Sequence, residues 1–212
     1  MISMKRRLRR LRHRQESFGI EMMVLDDGWF GKRDDDNSGL GDWFVNEKKI
    51  RGGLPKLSEK IHENGMKFGL WFEPEMISED SDLYRAHPDW AITIPGRVPN
   101  HARNQLVLDM TRSDVRDYLM ARFEEILGNT KIEYVKWDMN RSICDMYSHI
   151  YKGEQSGECY HAIYLAFMIC WSVLYSVSLR FCLRAAAAVA DVSMPECCTI
   201  RHRFGAVTIQ ML

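Results

Sequence analysis

The chain has 212 residues, 46% apolar and 27% charged, a composition that fits a soluble protein with a sizeable core in one or two domains. Lys+Arg and Asp+Glu both number 29, so overall charge selects no partner. The six cysteines have no zinc-site spacing, and no apolar segment follows the basic start to make a secretory signal, so a reducing, cytoplasmic setting is expected.

In chain order, residues 1–14, "MISMKRRLRRLRHR", carry seven Lys/Arg and no acid. Residues 18–30, "FGIEMMVLDDGWF", predict a strand that breaks at Asp26, Asp27 and Gly28. Residues 31–53 read as a long, polar, Gly-rich loop holding Trp43. Its "DDDNSG" stretch opens like a calcium loop, but the twelfth position is Val45, where a bidentate Glu is needed. A solvated loop and no metal are expected there. Pro55 opens a helix with Leu54, Leu57 and Ile61 on one face and Gly65 as its stop. "MKFGLWFEPEM", 66–76, is a second apolar run that ends in Glu73, Pro74 and Glu75. Ser113 is expected to cap the next helix, with Asp114 and Asp117 in its first turn. Val115, Tyr118, Leu119, Phe123, Ile126 and Leu127 form its core stripe, and Gly128 and Asn129 end it. A third strand follows in "KIEYVKWDMNRS", 131–142.

Near-continuous apolar strands alternating with helices predict a parallel α/β sheet or barrel covered on both faces. In such folds the chemistry gathers at the carboxyl ends of the strands. Here those ends read DDGW, WFEPE and KWDMN. Trp29, Trp71 and Trp137 beside these polar groups suit a sugar site, an aromatic face for C–H groups with acceptors for hydroxyls. Lys136 and Asp138 alternate by two and share one face of the strand. They are either a rim ion pair or a nucleophilic carboxylate kept ionised by a neighbouring cation.

The stretches "FGIEMMVLDDGWFGKRDDDNSGLGDW", "FGLWFEPEM", "RNQLVLDMTR" and "YVKWDMNR" resemble bacterial-type α-galactosidases of glycoside hydrolase family 36, over residues 18–161. The resemblance implies a (β/α)8 barrel and a retaining mechanism with no cofactor. It implies Asp138 as the nucleophile, Asp26 and Asp27 on the galactose hydroxyls, and Trp71 stacked at the sugar. Arg103, Lys136 and Asn140 would complete the sugar-binding ring. The implied partners are α-galactoside oligosaccharides of the melibiose and raffinose type, with no nucleic acid and no membrane. Full-length relatives are expected to be homo-oligomeric.

The chain departs from the family at both ends. A retaining glycosidase needs a second carboxyl about 5–5.5 Å from the nucleophile. The family carries it after a Cys-containing, glycine-rich stretch that residues 162–212 lack. Back-translated with permitted codons and shifted by one base, residues 182–210 spell Phe-Glu-Ser-Cys-Ser-Gly-Gly-Gly-Gly-Arg-Phe and then the acid/base aspartate. Loss of one base after the His161 codon accounts for this, and a second shift accounts for the basic start. Residues 1–17 and 162–212 are therefore expected to be out of frame. About three strands of the barrel remain in frame, and the ends should be irregular or helical, with helix from Ala162 to about Val189. Ala162–Leu179 carries no charge and is just long enough to raise a membrane span, but its three serines and Trp171 make a poor one.

Overall fold

Strands of apolar residues and helices with one apolar stripe have a single good arrangement, a parallel sheet with helices laid against it. The computed structural model describes residues 19–151, 153–177, 182–187 and 205–209. Strand β1 (Ile20–Leu25) leads through a long loop to helix α1 (Gly53–Glu63), then to β2 (Lys67–Phe72). A short antiparallel pair, β3 (Met76–Ile77) and β4 (Leu106–Val107), flanks the small helix α2 (Asp82–Ala86). Helix α3 (Ser113–Asn129), β5 (Tyr134–Met139) and α4 (Cys159–Val177) follow, and two further strands are β6 (Cys182–Ala187) and β7 (Gly205–Ile209). The main sheet runs in the order β6-β5-β2-β1-β7, and every pairing in it is parallel.

Side-chain alternation sorts the three central strands into two faces. Met23, Leu25, Phe68, Leu70, Phe72, Val135 and Trp137 share one face and join the buried core with Leu54, Leu57 and Ile61 of α1 and Val115, Leu119 and Phe123 of α3. Phe123 touches both Phe72, at 4.8 Å between ring centres, and Trp137, at 6.1 Å. The opposite face carries Val24, Gly69 and Tyr134 in one row and Trp71 beside Lys136 in the next. At the amino ends of the strands, Glu133 accepts from His62 of α1 at 2.7 Å and from the Phe68 N–H at 2.9 Å. This carboxylate ties α1 to both strands.

The 31–53 loop is less solvated than its composition predicts. Phe30 and Val45 form an isolated antiparallel bridge, and Trp43 is buried against Phe30, 4.4 Å between ring centres, with Trp29, Trp71 and Phe72 around it. Asp34 pairs with Lys49 at 2.9 Å and Asp36 with Arg33 at 3.6 Å.

Two expectations are corrected. Ser113 does not cap α3: Arg112 holds the N-cap position, and its guanidinium grips Asp114 at 2.7 and 3.0 Å, which places Ser113 inside the first turn. The tail is not helical to Val189. Helix α4 stops at Val177, and Cys182–Ala187 forms a strand paired with β5 from Tyr134↔Cys182 to Met139↔Ala187. Alanine favours helix by about 0.5 kcal/mol per residue over most others. The open edge of β5 offers a row of unpaired N–H and C=O groups, and pairing there overrides that weak preference. The out-of-frame expectation for 1–17 falls outside the described residues. Among the described residues no helix is long and apolar enough to cross a membrane.

Gly69 is set by its row. A Cβ there would lie 2.8 Å from Tyr134 Cδ1 and 3.0 Å from Val24 Cγ2. Replacing it with valine forces a shift of β5 or β1, so Gly69→Val should lower stability by about 1–3 kcal/mol in urea unfolding followed by tryptophan fluorescence.

Candidate active site

Because β1, β2 and β5 lie side by side, their carboxyl ends deliver Asp26, Trp71 and Asp138 to one place. Two strand spacings separate β1 from β5, about 10 Å, and a lysine with an aspartate covers that span. Lys136 of β5 crosses above β2, with its Nζ 3.0 Å from Asp26 Oδ2 and 3.8 Å from Asp138 Oδ2. The Trp71 indole N–H donates to the same Asp138 oxygen at 3.0 Å. Asp26, Trp71, Lys136 and Asp138 thus form one cluster, and Lys136 and Asp138 share a strand face as their spacing requires.

Asp27 takes a different partner. It is only 6% exposed, and the Arg33 guanidinium, 1% exposed, donates to both its oxygens at 2.8–3.1 Å while giving another N–H to the Ser38 carbonyl. The Asp27 backbone N–H donates to Asp26 Oδ1 at 2.9 Å. The pair locks the turn after β1 and so fixes where Asp26 points.

The aromatic residues also divide. Trp29 and Trp137, expected as sugar faces, are core residues. Trp29 is fully enclosed, donating its N–H to the Trp71 carbonyl at 2.9 Å, and Trp137 faces Phe123 and Phe167 on the helix side. Alternation explains Trp137, since residues 136 and 138 take the other face. Trp71 is buried as well, stacked parallel to Phe30 at 6.1 Å, and presents its N–H to Asp138.

Asn140 is held by Glu73, which is not among the expected site residues, and the charge of Arg103 also acts on Glu73. This carboxyl follows Trp71 by two positions, just past the end of β2, and is 1% exposed. Its Oε1 accepts the Asn140 backbone N–H at 2.8 Å, and its Oε2 faces the Gln105 amide at 3.3 Å. Burial pushes its pKa up to about 7, and Asp138 adds to the rise; the bonds from Asn140 and the charge of Arg103 oppose it. Arg103 itself is exposed, in a tight turn at φ 52° closed by the Ala102–Gln105 bridge. Glu75 is fully enclosed, accepts the Trp137 N–H at 2.8 Å, and burial raises its pKa well above the usual range. Arg141, also buried, donates to the carbonyls of Asn100, at 2.9 Å, and Gln105, fastening the loop before β4 to the end of β5. Period-two spacing from Trp71 was the signal for Glu73. Nothing local marks Arg33 or Gln105 as partners of these carboxyls.

Carboxylates from two parallel strands, clamped by one lysine and an indole N–H, form a polar cluster at the carboxyl rim of the sheet, where β/α folds gather their functional groups. The Melibiase family model matches residues 4–183, and the chain belongs to that family. The match reaches beyond 18–161 on both sides. The chain is 62% identical over 132 residues to the bifunctional alpha-galactosidase/sucrose kinase AgaSK of Mediterraneibacter gnavus, covering 62% of this chain and 14% of that protein. It is 50% identical over 161 residues to alpha-galactosidase Mel36A of Lactobacillus acidophilus, covering 76% and 22%. The crystal structure of the GH36 alpha-galactosidase AgaA of Geobacillus stearothermophilus in complex with raffinose superposes with a TM-score of 0.82 at 42% identity, over 86% of this chain and 25% of that one. The chain therefore spans a quarter or less of the length of these relatives.

Two outcomes follow. Arg33→Met leaves the buried Asp27 carboxylate without its counter-ion, which should cost about 3–5 kcal/mol of stability in chemical denaturation. Glu73 binds its proton more tightly in the folded chain than in the unfolded one. Below about pH 4.5 both states hold the proton; above it the unfolded chain releases first, so stability should fall as pH rises from about 4.5 to about 7. The full loss is at most about 3 kcal/mol, and Glu73→Gln should flatten that part of the stability–pH profile.

Proposed function

We propose that the protein descends from a retaining α-galactosidase acting on terminal α-galactosides of the raffinose and melibiose type, in the cytoplasm. The observation that carries this is Asp138, a carboxylate at the rim held between Lys136 Nζ and the Trp71 N–H. A carboxylate so placed suits attack on an anomeric carbon through an oxocarbenium-like transition state. Asp138 would form the galactosyl-enzyme, while Lys136 and Trp71 hold its second oxygen. Asp26, bridged to Lys136, would accept from a galactose hydroxyl, and Arg103 and Asn140 would close the ring on the other side. Asp27, engaged by Arg33, would act with Asp26 on the sugar through whatever acceptor capacity that pair leaves free. The raffinose-bound relative supports the substrate class.

The general acid/base is the missing member. In this proposal it returns when one base is restored after the His161 codon, which completes the glycine-rich stretch and its aspartate in a longer barrel. That aspartate would protonate the glycosidic oxygen as Asp138 attacks, then take the proton from the water that frees the sugar. A (β/α)8 barrel takes about 250 residues and eight parallel strands, against five strands in the parallel sheet among the described residues.

The chain as written should not turn over nitrophenyl α-galactoside above background, whereas the frame-restored protein should. In the restored protein Asp138→Ala should lower kcat by about 10⁴-fold or more, because a covalent step is lost. Activity in the chain as written that Asp138→Ala abolishes would defeat the frame argument. Activity in the restored protein that survives Asp138→Ala would defeat the assignment of the nucleophile.

A further inference from the structure

Glu73 has no part in the chemistry proposed above, yet its carboxyl is enclosed where β2 and β5 end. One oxygen takes the Asn140 N–H, two residues past Asp138; the other faces the Gln105 amide. Gln105 is itself buried, and among the described residues its Oε1 has no hydrogen-bond partner. The two amide atoms of a glutamine exchange by a flip. After such a flip, a protonated Glu73 donates to that oxygen, whereas an ionised Glu73 can only accept.

The surrounding charges point the same way. Past the end of β2, Glu75 is fully enclosed and accepts the Trp137 N–H. On β5, Asp138 faces Glu73 as a like charge, and Lys136 is engaged by Asp26 and Asp138. Arg141, after β5, is spent on the Asn100 and Gln105 carbonyls. Burial pushes the Cys170 thiol of α4 up to about 11, with a smaller rise from Glu75, so it brings no positive charge to the site. Among these groups the exposed Arg103 is the cation that opposes a charge on Glu73. An ionised Glu73 would put a further carboxylate beside a cluster that already sets Asp26 and Asp138 against one lysine.

We infer that Glu73 is a positioning residue: as a neutral acid it fixes Asn140 and the end of β5, and its ionisation unbalances the Asp26–Lys136–Asp138 arrangement. Burial that pushes its pKa up to about 7 agrees with this and sets the pH range to search. What the arrangement binds rests on the galactosidase reading; the coupling of Glu73 to Asp138 does not.

The test uses the full chain in two arms. In the first, ¹³C-labelled glutamate carboxyls, assigned through backbone correlations, are titrated by NMR. The Glu73 midpoint should lie near neutrality and move down by about half a unit or more in Asp138→Asn. A midpoint in the ordinary glutamate range, or one that Asp138→Asn leaves in place, overturns the inference. In the second, methyl α-galactoside binding is followed by tryptophan fluorescence from pH 6 to 8. Affinity should fall by about tenfold across that range in the wild type and stay flat in Glu73→Gln. Glu73→Asp, too short to hold Asn140, should bind weakly at every pH. Wild-type binding that is flat with pH also overturns the inference while leaving the galactoside reading standing. A coupled titration with no galactoside binding at any pH supports the role of Glu73 and defeats the galactoside reading instead. The comparison of wild type with Asp138→Asn decides the matter even where a Glu73 variant fails to fold.

Discussion

The ammonium of Lys136 is the tie on which the site depends. It leaves β5, passes over β2 and meets Asp26 at the end of β1, while the next inward residue on its own strand, Asp138, lies within reach of the same charge. Each carboxylate alone would be an exposed acid at a strand end. Bridged by one cation they occupy fixed positions relative to each other, and that fixity is what a binding or catalytic constellation requires. The tie works only because three strands in this order stand in parallel register, Val24 beside Gly69 beside Tyr134 and Trp71 beside Lys136.

The rest of the structure holds that register. On the helix side, Phe72, Phe123 and Trp137 interlock, so a slip of one residue would turn a lysine and an aspartate into the core. At the amino ends, Glu133 joins α1 to β2 and β5. At the carboxyl ends, Arg33 pins the turn that bears Asp26, and Arg141 pins the loop that bears Gln105. Both guanidiniums are buried and bound to acceptors. Each acts as a bracket for backbone, which suits arginine's planar set of donors better than a lysine.

The chain belongs to the melibiase family and is a small part of the relatives it resembles. The strand at Cys182–Ala187 shows how strongly an unfinished parallel sheet recruits the chain that follows it. This segment, half of it alanine, takes an extended form there, because the edge of β5 supplies the partner that local preference lacks.

Much was legible in the sequence because it depends on neighbours along the chain. Alternation by two placed Lys136 and Asp138 on one face. The apolar stripe of α3 named its buried residues, and Gly65 and Asn129 marked helix ends, since these follow from strand and helix periods alone. The wording and spacing of the motifs carried the family. Tertiary structure decided what depends on neighbours in space. Arg33 on Asp27, Lys136 on Asp26 across 110 positions, and Glu73 under Asn140 are pairings of residues that no period relates. It also decided that Trp29 and Trp137 are core and not sugar faces. Trp137, beside Asp138 in sequence, points to the opposite side of β5, and only the packed helices say which side is dry.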